Sequence, residues 1–457
     1  MSNSKPVVVS KKVLIPFILV TSLFALWGFA NAVTDPMVGA FQKVLELSNT
    51  QASMVQMAFY GGYFTMALPA AMFMRKYSYK VGILIGLALY ATGALLFYPA
   101  AQTESFLFFC IGLYILTFGL AFLETAANPY ALAMGAKETA MQRLNLAQAF
   151  NPVGLIAGLL IAKFSVNENL QSDDIADFSA LNDSTRDAIR LADLSVIRDP
   201  YVILGLVLIG FFVVFLISKM PQSKDEGGMP SIKDTFLVLS KNNKYVLGVL
   251  AQILYVGAQI MCWTYIYHYV KGMLVKGVFE ISSINVFGFE LEKDAFYYQV
   301  IAIVLFIIGR AIGTYLLRFV SSGKLLMYFA ILALISTGVT IQVQGMIGLY
   351  GLVAISFFMS LMFPTIYGIA LGGLTEEQSK VGSAGLIMAI VGGALMPFLQ
   401  GMIIDIGGTE VVDTKIMGVS EVNFSFILPL VCFIYIAWYG FHVFKKHETS
   451  DNVLPTA

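Results

Sequence analysis

The chain has 457 residues, of which 58% are hydrophobic and 12% are charged, and its mean hydropathy is +0.79. The charged fraction is about half that of an average soluble domain, and apolar stretches of membrane-spanning length recur along the whole chain. The formal net charge is zero, so no nucleic-acid partner is indicated. All three cysteines lie inside apolar runs, which argues against a disulfide framework or a metal cluster.

Twelve apolar runs predict twelve transmembrane helices. Their approximate limits are 13–41, 51–74, 80–101, 105–134, 143–164, 201–219, 245–270, 295–319, 324–342, 347–372, 380–405 and 423–445. The first run is too long for the core of a signal peptide, so it is predicted to span the membrane. Between the fifth and sixth runs, the polar stretch DSTRDAIRLADL is predicted to form a surface helix.

The distribution of Lys and Arg predicts the orientation of these helices. Of the 28 basic residues, eighteen lie in the tails or connections on the same side as the N-terminus and eight on the opposite side. The other two, Lys163 and Arg310, lie within helices. Because basic residues favour the inner side, both termini are predicted to be cytoplasmic, in a multi-pass protein of the cell inner membrane.

The basic segment 219–244 divides the twelve runs into two sets of six that are weakly alike. RKYSYK (75–80) follows the second run as RFVSSGK (318–324) follows the eighth, and NPYALAMG (128–135) in the fourth run corresponds to FPTIYGIALGG (363–373) in the tenth. The Asn-Pro pair is expected to break its helix, and the two prolines to mark helices that bend beside a cavity. The pattern is typical of a secondary transporter with its site between two pseudo-symmetric halves.

The predicted fold is therefore an all-α membrane protein with two six-helix bundles. We expect an N-terminal bundle at 1–218, a cytoplasmic linker at 219–244, a C-terminal bundle at 245–446 and a cytoplasmic tail at 447–457.

Two acidic residues, Asp35 in FANAVTDPMVGAF and Glu124 in FLETAANPY, are predicted to lie well inside spanning helices. A charge at mid-membrane costs at least about 2.5–3.5 kcal/mol on insertion scales, so an acid there is functional by default. Desolvation favours the neutral form of a carboxyl group, and an acid that alternates between wet and dry surroundings can bind and release a proton near neutral pH. Asp35 and Glu124 are the predicted proton-coupling residues, and the alternative is a buried acid that only stabilises the bundle.

Arg310, in FIIGRAIGTYLLRF, is the basic residue predicted to lie deep in a helix. It is interpreted as a possible gate, cavity contact or counter-charge. Snorkelling of the side chain to the membrane surface is the equally weighted alternative.

Polar and aromatic residues recur at helical spacing in three of the runs. They are Trp27, Asn31 and Asp35 in the first run, Asn145, Gln148 and Asn151 in the fifth, and Gln252, Tyr255, Gln259 and Trp263 in the seventh. Amides donate and accept hydrogen bonds, as sugar hydroxyls require, and aromatic rings can stack against the C–H face of a sugar. Any one amide could instead join two helices, but three converging stripes favour a sugar-binding cavity.

The sequence resembles the fucose:proton symporter family of the major facilitator superfamily, which also contains bacterial glucose/galactose transporters. The resemblance covers about residues 14–441 and rests on ALWGFANAVTD, QMAFYGGYF, FLETAANPY, RLNLAQAFNPVG, LAQILYVGAQIMCW, FIIGRAIGTYLL, FMSLMFPTIYG and GLIMAIVGGALMPFLQG. It implies the major facilitator fold, protonation and coupling at Asp35 and Glu124, and a cavity lined by Gln148 and Phe306.

Two motifs depart from the fucose-type pattern, which often has Asn-Asn and Gln-Tyr where this chain has Asn31-Ala32 and Met362-Phe363. IMAIVGGALMP is more similar to the glucose/galactose branch. The predicted sugar-binding residues are Asn31, Gln148, Asn151, Gln252, Tyr255, Gln259, Trp263 and Phe306.

We therefore expect a monomeric, lipid-embedded symporter that imports L-fucose or a related hexose with protons by alternating access, without cofactor or metal. A glucose/galactose transporter, coupled to sodium or to protons, is the alternative. The amide-rich stripes argue against a drug antiporter. A non-transporting sugar sensor stays open, while an enzyme is disfavoured because no nucleophile–base pair or metal-ligand set is found.

Overall fold

The computed structural model describes residues 7–47, 49–175, 181–221, 232–278, 280, 282–286, 289–404, 406 and 414–451. Side chains are described for somewhat fewer residues, and that of Asp35 is outside them. The helices from the N-terminus to the linker are α1 (Leu14–Val44), α2 (Asn49–Lys76), α3 (Tyr79–Leu95), α4 (Phe97–Gln102), α5 (Phe106–Ala133), α6 (Ala140–Gln148), α7 (Asn151–Ile161), α8 (Asp183–Ile217) and α9 (Ile232–Lys241).

The second half of the chain contains further helices and two short antiparallel hairpins. The helices are α10 (Asn243–Val275), α11 (Ala295–Leu316), α12 (Ser322–Gln342), α13 (Met346–Met359), α14 (Met362–Leu371), α15 (Glu376–Met388), α16 (Gly392–Ile404), α17 (Glu421–Ser425) and α18 (Ile427–Asp451). One hairpin pairs β1 (Ser283–Val286) with β2 (Phe289–Glu292), and the other pairs β3 (Lys415–Ile416) with β4 (Val419–Ser420). The sequence analysis did not predict these hairpins, which connect spanning helices.

Eleven helical segments in the described part of the chain are long and apolar enough to cross a membrane. The remaining predicted run, 51–74, corresponds to α2, a 28-residue helix that is less apolar because it carries several polar residues and glycines. The predicted surface helix and the sixth run form one continuous 35-residue helix, α8, which runs through Pro200.

The chain forms two compact units. Unit 1 consists of Met1–Ala140, Phe150–Thr235 and Leu374–Met388, and unit 2 of Met141–Ala149, Phe236–Gly373 and Ala389–Ala457. Each unit thus contains one short segment from the opposite half of the sequence. The segment Met141–Ala149 ends at the turn between α6 and α7. The segment Leu374–Met388 ends at the 3₁₀ turn Ala389–Val391, between α15 and α16.

The two units repeat one pattern of helix packing. In unit 1, α1 packs on α7, α2 on α5 and α3 on α8; in unit 2, α10 packs on α16, α11 on α13 and α12 on α18. When the spanning helices are numbered in chain order, unit 1 pairs the first with the fifth, the second with the fourth and the third with the sixth. Unit 2 repeats this with the seventh and eleventh, the eighth and tenth, and the ninth and twelfth. The first pair in each unit approaches closely at a glycine: a side chain at Gly28 would collide with the backbone oxygen of Asn151, and one at Gly392 with that of Ile253.

The predicted break at Asn128-Pro129 is wrong, because α5 runs unbroken from Phe106 to Ala133. Proline has no N–H, so the backbone oxygen of Thr125, four residues earlier, loses its helical donor. The hydroxyl of Ser383 on α15 donates to that oxygen at 3.2 Å. A neighbouring helix therefore replaces the missing donor, which is how proline is tolerated inside membrane helices.

Candidate functional site

The carboxyl group of Glu124 lies inside unit 1, on α5, with 1% of the residue exposed. The hydroxyl of Tyr63 on α2 lies close enough to this carboxyl group to interact with it. The Oε2 atom of Glu124 has no hydrogen-bond partner among the described residues. A buried carboxylate with one unpartnered oxygen is costly in its charged form, and a bound proton would remove that cost.

Tyr63 is itself held by Trp27 on α1, whose indole Nε1 donates to the tyrosine oxygen at 2.9 Å. The indole stacks on Phe24, with ring centroids 5.2 Å apart. Trp27 and Tyr63 are both buried. Trp27 on α1 therefore positions the hydroxyl of Tyr63 on α2, and this hydroxyl interacts with the carboxyl group of Glu124 on α5.

Two other predicted residues of unit 1 lie on α1 and α7. Asn31 is half-buried on α1. Asn151, the first residue of α7, is also half-buried, and its amide donates to the backbone oxygen of Phe24 at 3.2 Å. That bond joins α1 to α7, which is the structural alternative to sugar binding for an amide in a spanning helix. Asp35 lies on α1, but the prediction for its carboxyl group falls outside the described side chains.

In unit 2, Arg310 on α11 is 3% exposed and donates to two backbone oxygens. Its Nε bonds Ser360 at 2.6 Å and its Nη1 bonds Gln148 at 2.7 Å. These oxygens lie four residues before Pro364 and Pro152, so both lack the N–H that a helix would otherwise supply. One guanidinium group thus supplies the donors that two prolines withhold.

The two oxygens that Arg310 binds also lie at two helix ends. Gln148 is the last residue of α6, and Ser360 directly follows α13. Helix C-termini carry partial negative charge, which stabilises a nearby cation. No carboxylate forms a salt bridge with Arg310 within the part of the chain that the structure describes.

Aromatic rings cover the remaining side of Arg310. The guanidinium lies 4.7 Å from the ring centroid of Phe306, a favourable cation–π distance. Trp263 meets Phe306 edge to face at 5.3 Å and donates to Ser356 at 3.2 Å. Gln148, Trp263, Phe306 and Arg310, all predicted site residues, therefore form one connected cluster in unit 2.

The other predicted residues of α10 form a polar strip beside this cluster. Gln252 and Tyr255 are fully buried, and neither the amide atoms of Gln252 nor the hydroxyl of Tyr255 has a hydrogen-bond partner among the described residues. Tyr255 meets the ring of Phe363 on α14 edge to face at 6.1 Å, and Gln259 is half-buried. Buried polar groups without partners are rare in folded proteins and mark places where a polar ligand or water would bind.

The predicted stripe through Asn145, Gln148 and Asn151 does not form one helix face. The turn at 149–150 interrupts the helix, and Gln148 belongs to unit 2 whereas Asn151 belongs to unit 1. The missing N–H of Pro152 explains the interruption, since the oxygen of Gln148 bonds Arg310 instead. Residues spaced by three share a face only in a continuous helix, and Pro152 prevents one here.

Sequence reasoning missed three residues that complete these sites: Tyr63, Ser360 and Ser383. A tyrosine or serine in an apolar helix gives little signal, because either is common there. Ser383 could have been sought by asking which group donates to the oxygen that Pro129 frees, and Ser360 by counting four residues back from Pro364. No group of three or more His, Cys, Asp or Glu side chains in the described ranges is arranged to hold a metal.

The whole chain is similar to known membrane transporters. A family model for the Major Facilitator Superfamily matches residues 18–397. The chain is 52% identical to the L-fucose-proton symporter of Haemophilus influenzae, over 96% of this chain and 98% of that protein. It is 33% identical to the L-fucose-proton symporter of Escherichia coli, over 93% and 92% of the two chains, and 32% identical to the glucose/galactose transporter of Brucella abortus, over 92% of each.

Solved structures give the same result for the fold. A crystal structure of the Major Facilitator Superfamily transporter FucP in the outward conformation matches with a TM-score of 0.79 at 32% identity, over 95% of this chain and 99% of that chain. The fold is thus that of a multi-pass membrane transporter and not of an enzyme. The chain belongs to the Major Facilitator Superfamily and, within it, to the family of L-fucose-proton symporters and glucose/galactose transporters.

Proposed function

We propose that this protein is a proton-coupled symporter that imports L-fucose or a closely related hexose by alternating access. The observation that carries the proposal is the carboxyl group of Glu124, which is buried in α5 and whose Oε2 atom has no hydrogen-bond partner among the described residues. Such a group can take up a proton at the unpartnered oxygen and lose it when water reaches it. Asp35, on α1, is the second proposed proton-coupling residue.

The choice of sugar follows the closer relatives. The 52% identity is to an L-fucose-proton symporter, whereas the glucose/galactose transporters stand at 32%. This outweighs the similarity of IMAIVGGALMP to the glucose/galactose branch. The proposed sugar-binding groups are Asn31 and Asn151 in unit 1 and, in unit 2, Gln148, Gln252, Tyr255, Gln259, Trp263 and Phe306.

We further propose that the protein lies in the cell inner membrane as a monomer with both termini in the cytoplasm. Eighteen of the 28 basic residues lie on the side of the termini under the predicted topology, which supports this orientation. Cysteine introduced singly at Ser10 and at Ser184, in a variant whose three native cysteines are replaced, would test it. Labelling of whole cells by a membrane-impermeant maleimide is expected at position 184 and not at position 10.

The function is tested by uptake of radiolabelled sugar into proteoliposomes that contain the purified protein. An inward proton gradient is expected to drive accumulation of L-fucose above the equilibrium level, with galactose and glucose compared at equal concentration. A sodium gradient at constant pH is expected to drive none. Accumulation that follows sodium and not protons would replace proton coupling by sodium coupling, and preference for glucose or galactose would replace the proposed sugar.

The coupling residues are tested by neutral substitutions. Glu124→Gln and Asp35→Asn are each expected to lose gradient-driven accumulation while sugar exchange between equal proton concentrations continues, because each removes a titrating group and retains its shape. Glu168→Gln, the same change at an exposed position, is the matched control. Undiminished gradient-driven accumulation in Glu124→Gln would overturn the proposal for that residue.

A further inference from the structure

We infer that Arg190 is a positioning residue that holds the C-terminal end of α1 against α8. Because α1 carries the proposed coupling residue Asp35, the inference deepens the proposed function and rests on it in that respect. Arg190 lies in DSTRDAIRLADL, which is predicted from the sequence only to form a surface helix. In the structure this stretch is the first part of α8, and it brings Arg190 to the end of α1.

The guanidinium group of Arg190 binds the end of α1 and the connection that follows it. Its Nε donates to the backbone oxygen of Val44 at 3.1 Å, and its Nη2 donates to the carboxylate of Glu46 at 2.8 Å. Val44 is the last residue of α1, so its oxygen has no donor within the helix, and a helix C-terminus attracts a cation. Nη1 lies 3.9 Å from Glu104, between α4 and α5, and 3.4 Å from Asp187 in α8. One side chain therefore joins α8 to α1 and to the α4–α5 connection.

The backbone at both of these glutamates has a conformation that glutamate rarely adopts. The φ angle is +52° at Glu46 and +48° at Glu104, in the left-handed region that favours glycine. Such a conformation costs free energy and persists only where surrounding contacts hold it. Both carboxylates approach the guanidinium of Arg190, whose side chain is 18% exposed. The cluster therefore differs from an isolated, solvent-exposed ion pair, which contributes little to stability.

A second contact joins the same two helices about three turns away. The hydroxyls of Thr34 on α1 and Tyr201 on α8 lie 3.0 Å apart, and both residues are buried. The hydroxyl of Thr34 donates to the backbone oxygen of Ala30 at 2.8 Å, so Tyr201 is the donor in the bond between the two helices. The ring of Tyr201 stacks on Phe97 of α4, with ring centroids 3.8 Å apart. This contact fixes α1 at the residue directly before Asp35.

The two contacts have matching spacings along α1 and α8. Val44 follows Thr34 by ten residues and Tyr201 follows Arg190 by eleven, which correspond to about 15 Å and about 16.5 Å of helix. Thr34 meets the later residue of α8 and Val44 meets the earlier one, as antiparallel helices require. The segment of α1 that begins at Asp35 is therefore bound to α8 at both ends, and Arg190 supplies the bond at the far end.

The first test measures amide hydrogen exchange by mass spectrometry in the purified full-length protein. Arg190→Gln is expected to speed exchange of the amides at residues 40–44 by about fivefold to tenfold, because a helix end that loses hydrogen bonds to a charged group opens more often. Arg186→Gln is the matched control, since Arg186 lies one turn earlier in α8, is also half-buried and pairs with Asp183 of the same helix at 2.7 Å. It is expected to leave the exchange at 40–44 unchanged. Unchanged exchange in Arg190→Gln, or equal acceleration in both variants, would overturn the inference.

Glu46→Gln provides a milder variant in case Arg190→Gln folds poorly. It removes one charged partner and keeps the guanidinium, so amide exchange at residues 40–44 is expected to accelerate by only about twofold to threefold. In the Arg190→Gln background, the same change is expected to add nothing, because the bond is already lost. Fully additive effects would show that the two side chains act independently and would contradict the inference.

Transport assays separate a positioning role from a purely structural one. In proteoliposomes, Arg190→Gln is expected to lower gradient-driven accumulation of L-fucose by about threefold to tenfold, while sugar exchange at equal pH stays within about twofold of wild type. Equal losses in the two assays would show that Arg190 only stabilises the protein and would overturn the inference. Undiminished accumulation in Asp35→Asn would instead refute the proposed role of Asp35, and amide hydrogen exchange would then decide by itself whether Arg190 positions α1.

Discussion

Each of the two units buries a charged side chain inside a spanning helix, and the two charges are treated differently. In unit 1, the Oε2 atom of Glu124 has no hydrogen-bond partner in the described part of the chain. In unit 2, the guanidinium of Arg310 is bonded by two backbone oxygens and covered by the ring of Phe306. The anion is left able to change its charge, whereas the cation is held in one state.

The two buried charges, on Glu124 and Arg310, have different roles. A carboxylic acid can become neutral, so leaving it partly unpartnered makes protonation favourable when it is buried. Arginine stays protonated in proteins, so a buried guanidinium requires permanent acceptors. Arg310 finds them in oxygens that two prolines have freed, and it therefore joins α6, α11 and the end of α13 within unit 2. This geometry gives Arg310 a structural role that the sequence analysis did not consider, while its role as a gate, cavity contact or counter-charge stays a prediction.

The largest expected effect is on the anionic side of the comparison. Glu124→Gln removes the titrating group, and gradient-driven accumulation in proteoliposomes is expected to fall by at least about tenfold, toward the background of empty vesicles. Exchange of labelled sugar at equal pH is expected to stay within about twofold of wild type. A variant that lost exchange and accumulation equally would indicate a sugar-binding or structural role, and the contrast with Arg310 would then no longer hold.

The next largest expected effect is a loss of stability when Arg310 is replaced. Arg310→Met leaves the oxygens of Gln148 and Ser360 buried without donors, at about 1–3 kcal/mol each. We expect a total destabilisation of about 2–5 kcal/mol, measured as a lower apparent melting temperature of the detergent-solubilised protein. Arg310→Lys keeps the charge but not the forked geometry, and it is expected to recover only part of the loss. Full recovery in Arg310→Lys would show that charge, and not the paired bonds, matters here.

A double-mutant cycle tests whether Arg310 replaces the N–H donors that Pro364 and Pro152 lack. Pro364→Ala restores an N–H that can bond the oxygen of Ser360, so the cost of Arg310→Met is expected to be smaller in that background by about 0.5–3 kcal/mol. Pro152→Ala is expected to act in the same way through Gln148. Pro200→Ala, in α8 of unit 1, is the matched control and is expected to leave the cost of Arg310→Met unchanged. Additive effects in all three backgrounds would contradict the account.

The smallest expected effect tests the same principle in unit 1. Ser383→Ala removes the donor to the oxygen of Thr125 and is expected to lower stability by about 0.5–1.5 kcal/mol. The effect is expected to disappear in a Pro129→Ala background, where the helix supplies its own donor. Proton-driven uptake is expected to be retained, since the hydroxyl of Ser383 donates to a backbone oxygen and has no assigned part in proton coupling. A loss of uptake without a loss of stability would give Ser383 a functional role instead.

The contrast between α5 and the α6–α7 pair shows what spacing rules can predict. Both contain an Asn-Pro pair, yet α5 is continuous at Pro129 while the helix stops before Pro152. In the first case a serine replaces the missing donor, and in the second an arginine bonds an oxygen at the end of the shortened helix. The donors come from positions 258 and 162 residues away, so no local window of the sequence could have distinguished the two outcomes.

The sequence by itself determined that this is a membrane protein of two related six-helix halves, because lipid requires long apolar helices and makes each buried charge conspicuous. It also singled out Glu124 and Arg310, since ionisable residues inside apolar runs are rare. Only the tertiary structure decided what those charges contact. Hydrogen bonds such as those from Trp27 to Tyr63 and from Arg310 to Gln148 join different helices, and their geometry exists only once the helices have packed.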